Sequence, residues 1–323
     1  ELGVRISRSE LLRSNILISD LSLDNGKVYF YTPADGEMNL QQVISRLSNP
    51  DKESSGSTRL LFRNISITNT RFKFQNEFAD TVTTPGVNFG NMVFDDVNIK
   101  SRRLLINGAS IDMDIRQASL RDISGFELQS LEAAKFTLDD GYIGLDDARI
   151  ITPDSDVNLT TFRMAADSWG DMGDFMNKVR LQAKVTKSTL NTHTLGYFVP
   201  QFANGSGIDL TGLEIEFGGT INDFTADIKN LVSGQTVVVA DAWARNITDM
   251  PRASFDVNLS RLDTNGNDLR TLANGFLADS LAANTSAMLS RIGNISAQAT
   301  ARGTMGAFTA NVAVNTDAGN VLV

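Results

Sequence analysis

The chain has 323 residues and a formal net charge of −9, from 38 acidic and 29 basic residues, and it contains no cysteine. An acidic balance without a basic block disfavours nucleic acid as a partner, because phosphate binding needs concentrated positive charge. The lack of cysteine excludes disulfides, thiolate metal sites and cysteine nucleophiles. Hydrophobic residues make up 41% of the chain, which is typical of a folded protein rather than a disordered one.

The chain begins at Glu1 rather than at a methionine, so we expect it to be a piece of a longer polypeptide. No run approaches the roughly 18 apolar residues that a membrane-spanning helix needs. Any signal or membrane anchor is therefore expected outside this stretch.

The first part of the chain predicts two hairpins that resemble each other. NILISDLSLDNGKVYFY (15–31) places the turn triplet Asp24-Asn25-Gly26 between two strand-like runs. LLFRNISITNTRFKFQN (60–76) has the same layout, with Ile65 and Ile67 in the places of Leu21 and Leu23 and with Phe72 and Phe74 in those of Val28 and Phe30. Such a repeat, of about 45 residues, is typical of stacked structural units.

Between these hairpins the pattern changes twice. Apolar residues at helical spacing predict a short helix over 40–47 with Asn39 as its N-cap. The polar stretch 49–58 predicts a loop. We therefore assign 1–48 to a first repeat with a short helix, followed by a polar loop.

Residues 59–187 predict a continuous series of strands, because apolar and polar residues alternate through most of this range. WGDMGDFM (169–176) interrupts the alternation and predicts a short amphipathic helix. The text 190–202 predicts another helix that Pro200 ends, and we assign 188–205 to a short helical insert.

Strand alternation returns over 206–265 and is clearest over 208–228. The parity of the alternation shifts at Thr211-Gly212 and again at Asn222-Asp223, and both pairs predict turns. Helical spacing over 267–292 predicts a helical insert at 266–293 with stops at Gly275 and Gly293. The last strands occupy 294–323.

These elements amount to about twenty short strands with few helices to cover them. Open sheets rarely exceed about ten strands without curling or splitting. The pattern alone leaves two architectures open: a sandwich of two packed sheets, or one long sheet that curls with its apolar face inward.

Candidate catalytic groups are few. A lone His193, without a second histidine or any cysteine, offers little to a triad or a zinc site. The acidic pairs Asp95-Asp96, Asp139-Asp140 and Asp146-Asp147 are interpreted as turn residues. The stretch 263–268 departs from a calcium loop in its glycine position and predicts an Asx turn that caps a helix. We expect no enzyme, no metal site and no cofactor.

The apolar strand faces are the remaining candidate site. They either form a filled core or stay uncovered because the ligand is itself apolar. Small residues late in the chain favour the second possibility, since they leave room for acyl chains: Ala244, Ala297, Ala299, Ala301 and Ala310.

Two phrases of the sequence resemble a known family. The text ILISDLSLDNGKVYFYTPADGEMNLQQVISRL and its partner LLFRNISITNTRFKFQNE are similar to the AsmA-like superfamily. The later text LGYFVPQF, GLEIEFGGTINDFTADIKNL and MPRASFDVNLSRLDTNGNDLRTL resembles the TamB branch in its Bacteroidetes-type form. The resemblance extends over most of residues 1–323 and consists of hydrophobic patterns and short phrases. We expect the family's N-terminal anchor and its C-terminal domain to lie outside this stretch.

The resemblance implies a fold and a function. The expected fold is mostly β: a long curled sheet, forming a repeating, taco-like β-groove of about twenty short strands with a few short amphipathic helices. The expected function is non-enzymatic transfer of phospholipid along this groove between the inner and outer membranes, in support of outer-membrane protein assembly. The expected location is the periplasm, with an inner-membrane anchor and an Omp85-type partner (TamA or a TamA-like lipoprotein) that would both involve regions outside this stretch.

Groove-facing residues follow from the alternation of each strand. The predicted lipid-binding side chains are Ile111, Met113, Ile115, Phe136, Leu138, Leu181, Leu213, Ile215, Phe217, Phe224, Ile228, Val257 and Leu259. A register slip would move a strand's whole apolar set to the other face. The alternative is a structural or adhesive β-sandwich or solenoid of the cell envelope with a filled core.

Overall fold

A computed structural model describes residues 2–6, 15–33, 39, 59–77, 86–88, 91–108, 110–198, 207–247, 249–276, 293–317 and 319–322. The chain divides into two compact units. Unit 1 comprises Glu1–Pro153 with Gly196–Ala203, and unit 2 comprises Asp154–Leu195 with Asn204–Val323. The boundary near Pro153 falls inside the segment 59–187 that was expected to be continuous.

The protein is mostly β, as predicted, with eighteen strands in the described residues. Unit 1 holds nine of them: β1 (Leu2–Ile6), β2 (Asn15–Asp24), β3 (Lys27–Thr32), β4 (Arg59–Asn76), β5 (Asn91–Ser101), β6 (Leu104–Asn107), β7 (Ser110–Asp122), β8 (Glu127–Asp139) and β9 (Tyr142–Ile151). The expectation of short strands is wrong, because most have ten or more residues.

The two predicted hairpins are also wrong, and the reason is a kink. β2 and β3 do not fold back on each other; both pair in parallel with the single long strand β4. Asn25 (φ 50°) and Asn69 (φ 45°) adopt left-handed backbone conformations, which asparagine tolerates better than most residues. Each bends its strand where a hairpin turn was expected.

The predicted repeat nevertheless has a direct structural meaning. Leu21 is the partner of Ile65, and Val28 is the partner of Phe72, in the parallel ladders. Equivalent residues of the repeat therefore lie side by side, and the Asn25 and Asn69 side chains hydrogen-bond each other. The side chain of Asn39, the expected N-cap, instead bonds the backbone of Tyr29 and Tyr31. Residues 40–58, with the predicted helix and loop, lie outside the described residues.

The parallel stacking does not continue beyond β4. β5 and β6 both pair antiparallel with β4, and β7, β8 and β9 follow antiparallel. Leu60, Phe62 and Ile65 form a buried cluster on β4, against which β2 and β6 contribute partly buried side chains. This cluster is one part of the core of unit 1, to which β5, β7 and β8 also contribute buried side chains.

The prediction that the acidic pairs lie in turns is wrong for two of the three pairs. Asp139-Asp140 does occupy the β8–β9 turn, but Asp95-Asp96 lies within β5 and Asp146-Asp147 within β9. Asp96 (φ 52°) and Asp147 (φ 45°) are left-handed residues inside strands. Aspartate pairs are typical of turns because aspartate tolerates left-handed backbone conformations, and irregular positions inside strands need the same conformations. The pairs therefore mark strand irregularities here.

Unit 2 is an antiparallel meander of nine strands: β10 (Asp156–Ala165), β11 (Arg180–Asn191), β12 (Asp209–Thr220), β13 (Asp223–Ser233), β14 (Thr236–Arg245), β15 (Ser254–Asn265), β16 (Asn294–Thr304), β17 (Ala307–Thr316) and β18 (Gly319–Leu322). Each strand from β10 to β17 pairs with the next in sequence.

The helices of unit 2 lie in the connections and are short. Trp169–Asp174 is a 3-10 helix that leads into α1 (Phe175–Lys178). α2 (Thr192–Gly196) follows β11 directly, so Leu190 lies in a strand rather than in the predicted helix. α3 (Gly266–Phe276) begins at the predicted insert and runs one residue past Gly275; residues 277–292 lie outside the described residues. Met250–Arg252 is a second 3-10 helix.

Bulges interrupt the ladders between β10 and β16. Thr211-Gly212 was expected to be a turn, but it lies inside β12, where Gly212 (φ 57°) sits at a register shift. Similar shifts follow Val185 in β11, Ile228 in β13 and Leu259 in β15. A bulge bends and twists its strand. Between the bulges and the end of the β12–β13 turn, the register of each ladder runs without interruption.

Candidate functional site

The regular part of unit 2 brings apolar residues of seven strands, β11 to β17, into three rows. Partners in neighbouring antiparallel strands share one face of the sheet, so the ladder register fixes the rows. We call these rows together the apolar face. The first row is Leu181, Gly219, Phe224, Ala244, Phe255, Gly303 and Phe308; the second is Ala183, Phe217, Ala226, Ala242, Val257, Ala301 and Ala310; the third is Val185, Ile215, Ile228, Ala240, Leu259, Ala299 and Val312.

The apolar face is not a filled core. No residue in the three rows is buried: all are half-buried except Phe308, which is exposed. Most buried hydrophobic residues of unit 2 lie on the other side of the bulges, for example Leu210, Leu213 and Ile295, whereas Ala166, Val179 and Ala253 are buried in the connections at the end of the β12–β13 turn. An apolar patch of this extent that keeps contact with solvent is characteristic of a binding surface.

The size of the side chains on the apolar face differs from strand to strand. β14 contributes only Ala240, Ala242 and Ala244, and β16 contributes Ala299, Ala301 and Gly303. The flanking strands β13, β15 and β17 carry larger side chains in most positions. Two shallow furrows therefore follow β14 and β16, and they lie two strand spacings, or about 10 Å, apart.

Two hairpins at this end of the sheet, β12–β13 and β16–β17, share a sequence and a geometry. GGTINDFTADI (218–228) and RGTMGAFTANV (302–312) share the pattern G-T-x-x-x-F-T-A. In each copy the glycine faces the phenylalanine across the ladder, and the threonine Oγ1 accepts a hydrogen bond from the backbone N–H three residues on. A Cβ added at Gly303 (φ 144°) would lie 2.4 Å from the Ala307 carbonyl oxygen, so only glycine fits there.

Aromatic rings cluster in the first two rows. The centroids of the Phe217 and Phe224 rings lie 5.4 Å apart in a stacked arrangement. Those of Phe255 and Phe308 lie 5.9 Å apart, on either side of Gly303. Both distances fall in the range of favourable aromatic pairs.

The opposite face of the same strands is polar and carries ion pairs. The Glu216 carboxylate accepts hydrogen bonds from Lys184 and Lys229, each with Nζ 2.8 Å from Oε1. These two ammonium groups lower the pKa of Glu216 to about 2. Asp223 pairs with Arg245, and Asp256 with Arg302. The two faces therefore differ sharply in polarity.

Unit 1 has a smaller surface of the same kind. Leu104, Met113, Phe136 and Leu145 form one row across β6 to β9, and Ile106, Ile111, Leu138 and Ile143 form another. All of these residues are half-buried. Towards β4 the rows end in the buried residues Phe62 and Leu60.

The structure sorts the predicted lipid-binding residues into three groups. The apolar face of unit 2 contains Leu181, Ile215, Phe217, Phe224, Ile228, Val257 and Leu259. The rows of unit 1 contain Ile111, Met113, Phe136 and Leu138. Ile115 is 7% exposed and Leu213 is 3% exposed, so these two belong to packed regions and contribute no open surface.

Several residues of the apolar face were missed from the sequence. Val185, Phe255 and Phe308 were not proposed as contacts, although each completes a row. The repeated G-T-x-x-x-F-T-A phrase is the signal that identifies Phe308 as the counterpart of Phe224. Met164 and Phe162 of β10 pair with Leu181 and Ala183 and extend two rows by one strand.

Three of the candidate ionisable residues, Asp95, Asp96 and His193, form ion pairs at the surface. Asp95 pairs with Arg71, and Asp96 with Arg121. His193 lies 3.1 Å from Asp154 through Nδ1 and Oδ2, on the surface. No group of three or more potential metal ligands occurs among the described residues.

The calcium-like stretch has the predicted role. Asn265 Oδ1 accepts hydrogen bonds from the backbone N–H groups of Asn267 and Asp268, 3.0 Å each, and so caps α3. A shallow depression near this cap is lined mainly by polar residues, among them Gln235, Asp263 and Asn315. It lies at the end of the strands away from the β12–β13 turn and offers little wall to an apolar ligand.

Searches of protein-family models, curated proteins and solved structures find no match for this chain. In the part of the chain that the structure describes, no helix combines the length and apolar character needed to cross a bilayer. The fold and the site define a mostly antiparallel β protein that presents an extended, incompletely covered apolar face.

Proposed function

We propose that the apolar face of unit 2 binds the acyl chains of phospholipids and lets them move along it. The observation that carries this proposal is the exposure of the three rows: every position stays in contact with solvent across seven strands. An apolar ligand would remove this surface from water, which contributes at most about 0.8 kcal/mol per buried CH₂ group.

The chemistry of the face favours aliphatic chains over other apolar ligands. No position in the three rows carries a polar side chain, so the face offers nothing to orient a polar group. The furrows along β14 and β16 have a width set by their ridges, which stand two strand spacings apart, or about 10 Å. Two such furrows side by side suit the two chains of one phospholipid, lying parallel to the strands.

A smooth face also supports movement. A chain held only by dispersion and hydrophobic contact loses and regains similar contacts as it shifts along a furrow. The half-buried rows of unit 1 would offer the same kind of contact. We therefore propose a non-enzymatic lipid-transfer role, in which the groove expected from the AsmA-like resemblance conducts phospholipid.

The cellular setting is part of the same proposal and rests on the resemblance alone. It comprises the periplasm, transfer between the inner and outer membranes, and an Omp85-type partner reached through other regions of the protein. The competing hypothesis, a structural or adhesive protein with a filled core, requires the apolar rows to be covered. Their half-burial favours the lipid-binding hypothesis.

The test is lipid extraction combined with native mass spectrometry of the purified protein. We expect phospholipid to copurify with the wild type and to be lost from Ile215→Asp, because a carboxylate in the third row must keep its water. Thr225→Asp is the matched control: it adds the same charge on the polar face of the adjacent strand and should retain lipid. A lipid-free wild type, or equal retention in all three proteins, contradicts the proposal.

A further inference from the structure

Among the side chains of unit 2 whose burial the structure describes, all of the exposed large hydrophobic ones lie at one end. We call this set the apolar rim, and its members and exposed fractions are Phe175 (40%), Met176 (36%), Ile247 (36%), Met305 (50%) and Phe308 (60%). Elsewhere in unit 2, no large hydrophobic side chain of described burial is comparably exposed.

The antiparallel topology explains why these residues meet at one end. Phe175 and Met176 lie in the β10–β11 connection, Ile247 in the β14–β15 connection, and Met305 and Phe308 at the β16–β17 turn. In a meander, alternate connections lie at the same end of the sheet. The β12–β13 turn, with the half-buried Ile221, lies at this end as well.

Backbone hydrogen bonds join these connections side by side. The N–H of Asn222 donates to the Met176 carbonyl (3.0 Å), and the N–H of Asn246 donates to the Asn222 carbonyl (2.7 Å). The N–H of Met305 donates to the Ala253 carbonyl (3.2 Å). These polar groups are already satisfied, so contact with an apolar medium costs less than it would for ordinary loops.

The charges beside the rim include no surplus of basic residues, since each basic side chain there has an acidic partner and Asp174 adds a further carboxylate next to Phe175. Lys178 pairs with Asp171, Arg245 with Asp223, and Arg252 with Asp249. The rim therefore has no surplus positive charge with which to attract an anionic surface. Its recognition chemistry is apolar, and its binding should depend little on salt.

The spacing of the rim residues favours a lipid surface over a protein partner. They stand on alternate connections, whose strands lie about 10 Å apart for each two strands, and so form one narrow row along the edge of the sheet rather than a broad patch. A stable protein interface needs about 800 Å² of contiguous complementary surface on each side. A lipid interface accepts protruding apolar side chains one at a time.

We infer that the apolar rim inserts into the surface of a phospholipid bilayer and is the place where acyl chains pass onto the apolar face. Phe308 belongs both to the rim and to the first row, so the two surfaces are continuous. The passage of acyl chains rests on the proposed function, whereas the contact with the bilayer surface stands on the rim itself.

The experiment is flotation of the purified protein with phosphatidylcholine vesicles. The rim variant combines Phe175→Ser, Ile247→Ser and Met305→Ser. The matched control combines Leu2→Ser, Val4→Ser and Ile123→Ser, which removes three comparably exposed apolar side chains from unit 1. Far-UV circular dichroism and thermal unfolding establish that each variant is folded.

We expect the vesicle-bound fraction to fall at least tenfold in the rim variant and to stay unchanged in the control, with little effect of salt on the wild type. Wild-type protein that does not float, or equal binding by the rim variant and the wild type, overturns the inference. The Ile215→Asp variant separates the two proposals. If this variant floats normally but carries no lipid, both proposals stand. If it retains lipid, the proposed lipid-binding function fails, and the insertion of the rim into the bilayer is decided by the flotation results alone.

Discussion

Filling a furrow with more apolar surface should weaken lipid binding, which is the reverse of what hydrophobicity alone predicts. Ala301 lies midway along the β16 furrow, between Val257 and Ala310 in neighbouring strands. In Ala301→Leu, the added isopropyl group occupies the space that an acyl chain along β16 would use. The position is half-exposed, so the larger side chain can turn towards solvent and the fold should persist.

The size of the effect follows from the length of chain that is displaced. A leucine side chain lifts the acyl chain from the sheet over about four CH₂ groups, and each lost contact is worth at most about 0.8 kcal/mol. The upper limit is therefore about 3 kcal/mol, or on the order of a hundredfold in affinity. Incomplete burial of the chain will lower this figure.

The assay is titration with a fluorescent phospholipid, compared between Ala301→Leu and Thr300→Leu. Thr300 is the adjacent residue of β16 and faces the polar side, opposite Asn258 and Asn311. We expect weaker binding only in Ala301→Leu. If Ala301→Leu binds lipid as tightly as the wild type or more tightly, chains do not lie in the furrow and the assignment of β16 is refuted.

Two further predictions concern the sheet itself. Lys184 and Lys229 lower the pKa of Glu216 from 4.5 to about 2, so the stabilisation from this carboxylate is fully present above pH 4.5 and is lost as the pH falls towards 2. NMR titration of the Glu216 carboxyl should show a midpoint near 2 that rises in 1 M salt. A salt-independent midpoint at the usual value would contradict this. Gly303→Ala should lower the unfolding free energy by about 1–3 kcal/mol, because position 303 has a positive φ and the added Cβ would press against the Ala307 carbonyl oxygen. Gly306→Ala in the same turn should have little effect, since an added Cβ there meets no atom within 4 Å. Equal melting temperatures for the two variants would argue against the hairpin geometry.

The alternation of residues predicted much of unit 2, because a regular antiparallel strand has a strict two-residue period. Seven of the expected contacts fall on the apolar face for this reason. Alternation could not show which side of a bulge a residue lies on, so Leu213 was grouped with Ile215 although it is buried. The register shift between Glu214 and Ile215 separates them, and the neighbouring Thr211-Gly212 has the composition of a turn rather than of a bulge.

Pairing partners could not be derived from local sequence either. Asp24-Asn25-Gly26 has the composition of a hairpin turn, but Asn25 only kinks a strand whose two halves pair with β4. The repeat of about 45 residues contained the missing information, since parallel neighbours with equivalent side chains explain it. Turn residues and kink residues share a backbone conformation, and only the partner strand distinguishes them.

The central claim is that phospholipid lies on the apolar face, and photocrosslinking tests it most directly. A photoreactive amino acid at Val257 is placed on that face, and one at Asn258 on the opposite face of the same strand, between Asp241 and Thr300. After irradiation in cell envelopes, intact-mass analysis should show a phospholipid adduct at position 257 and none at 258. Equal adducts at both positions, or a protein adduct in place of lipid at 257, would contradict the account.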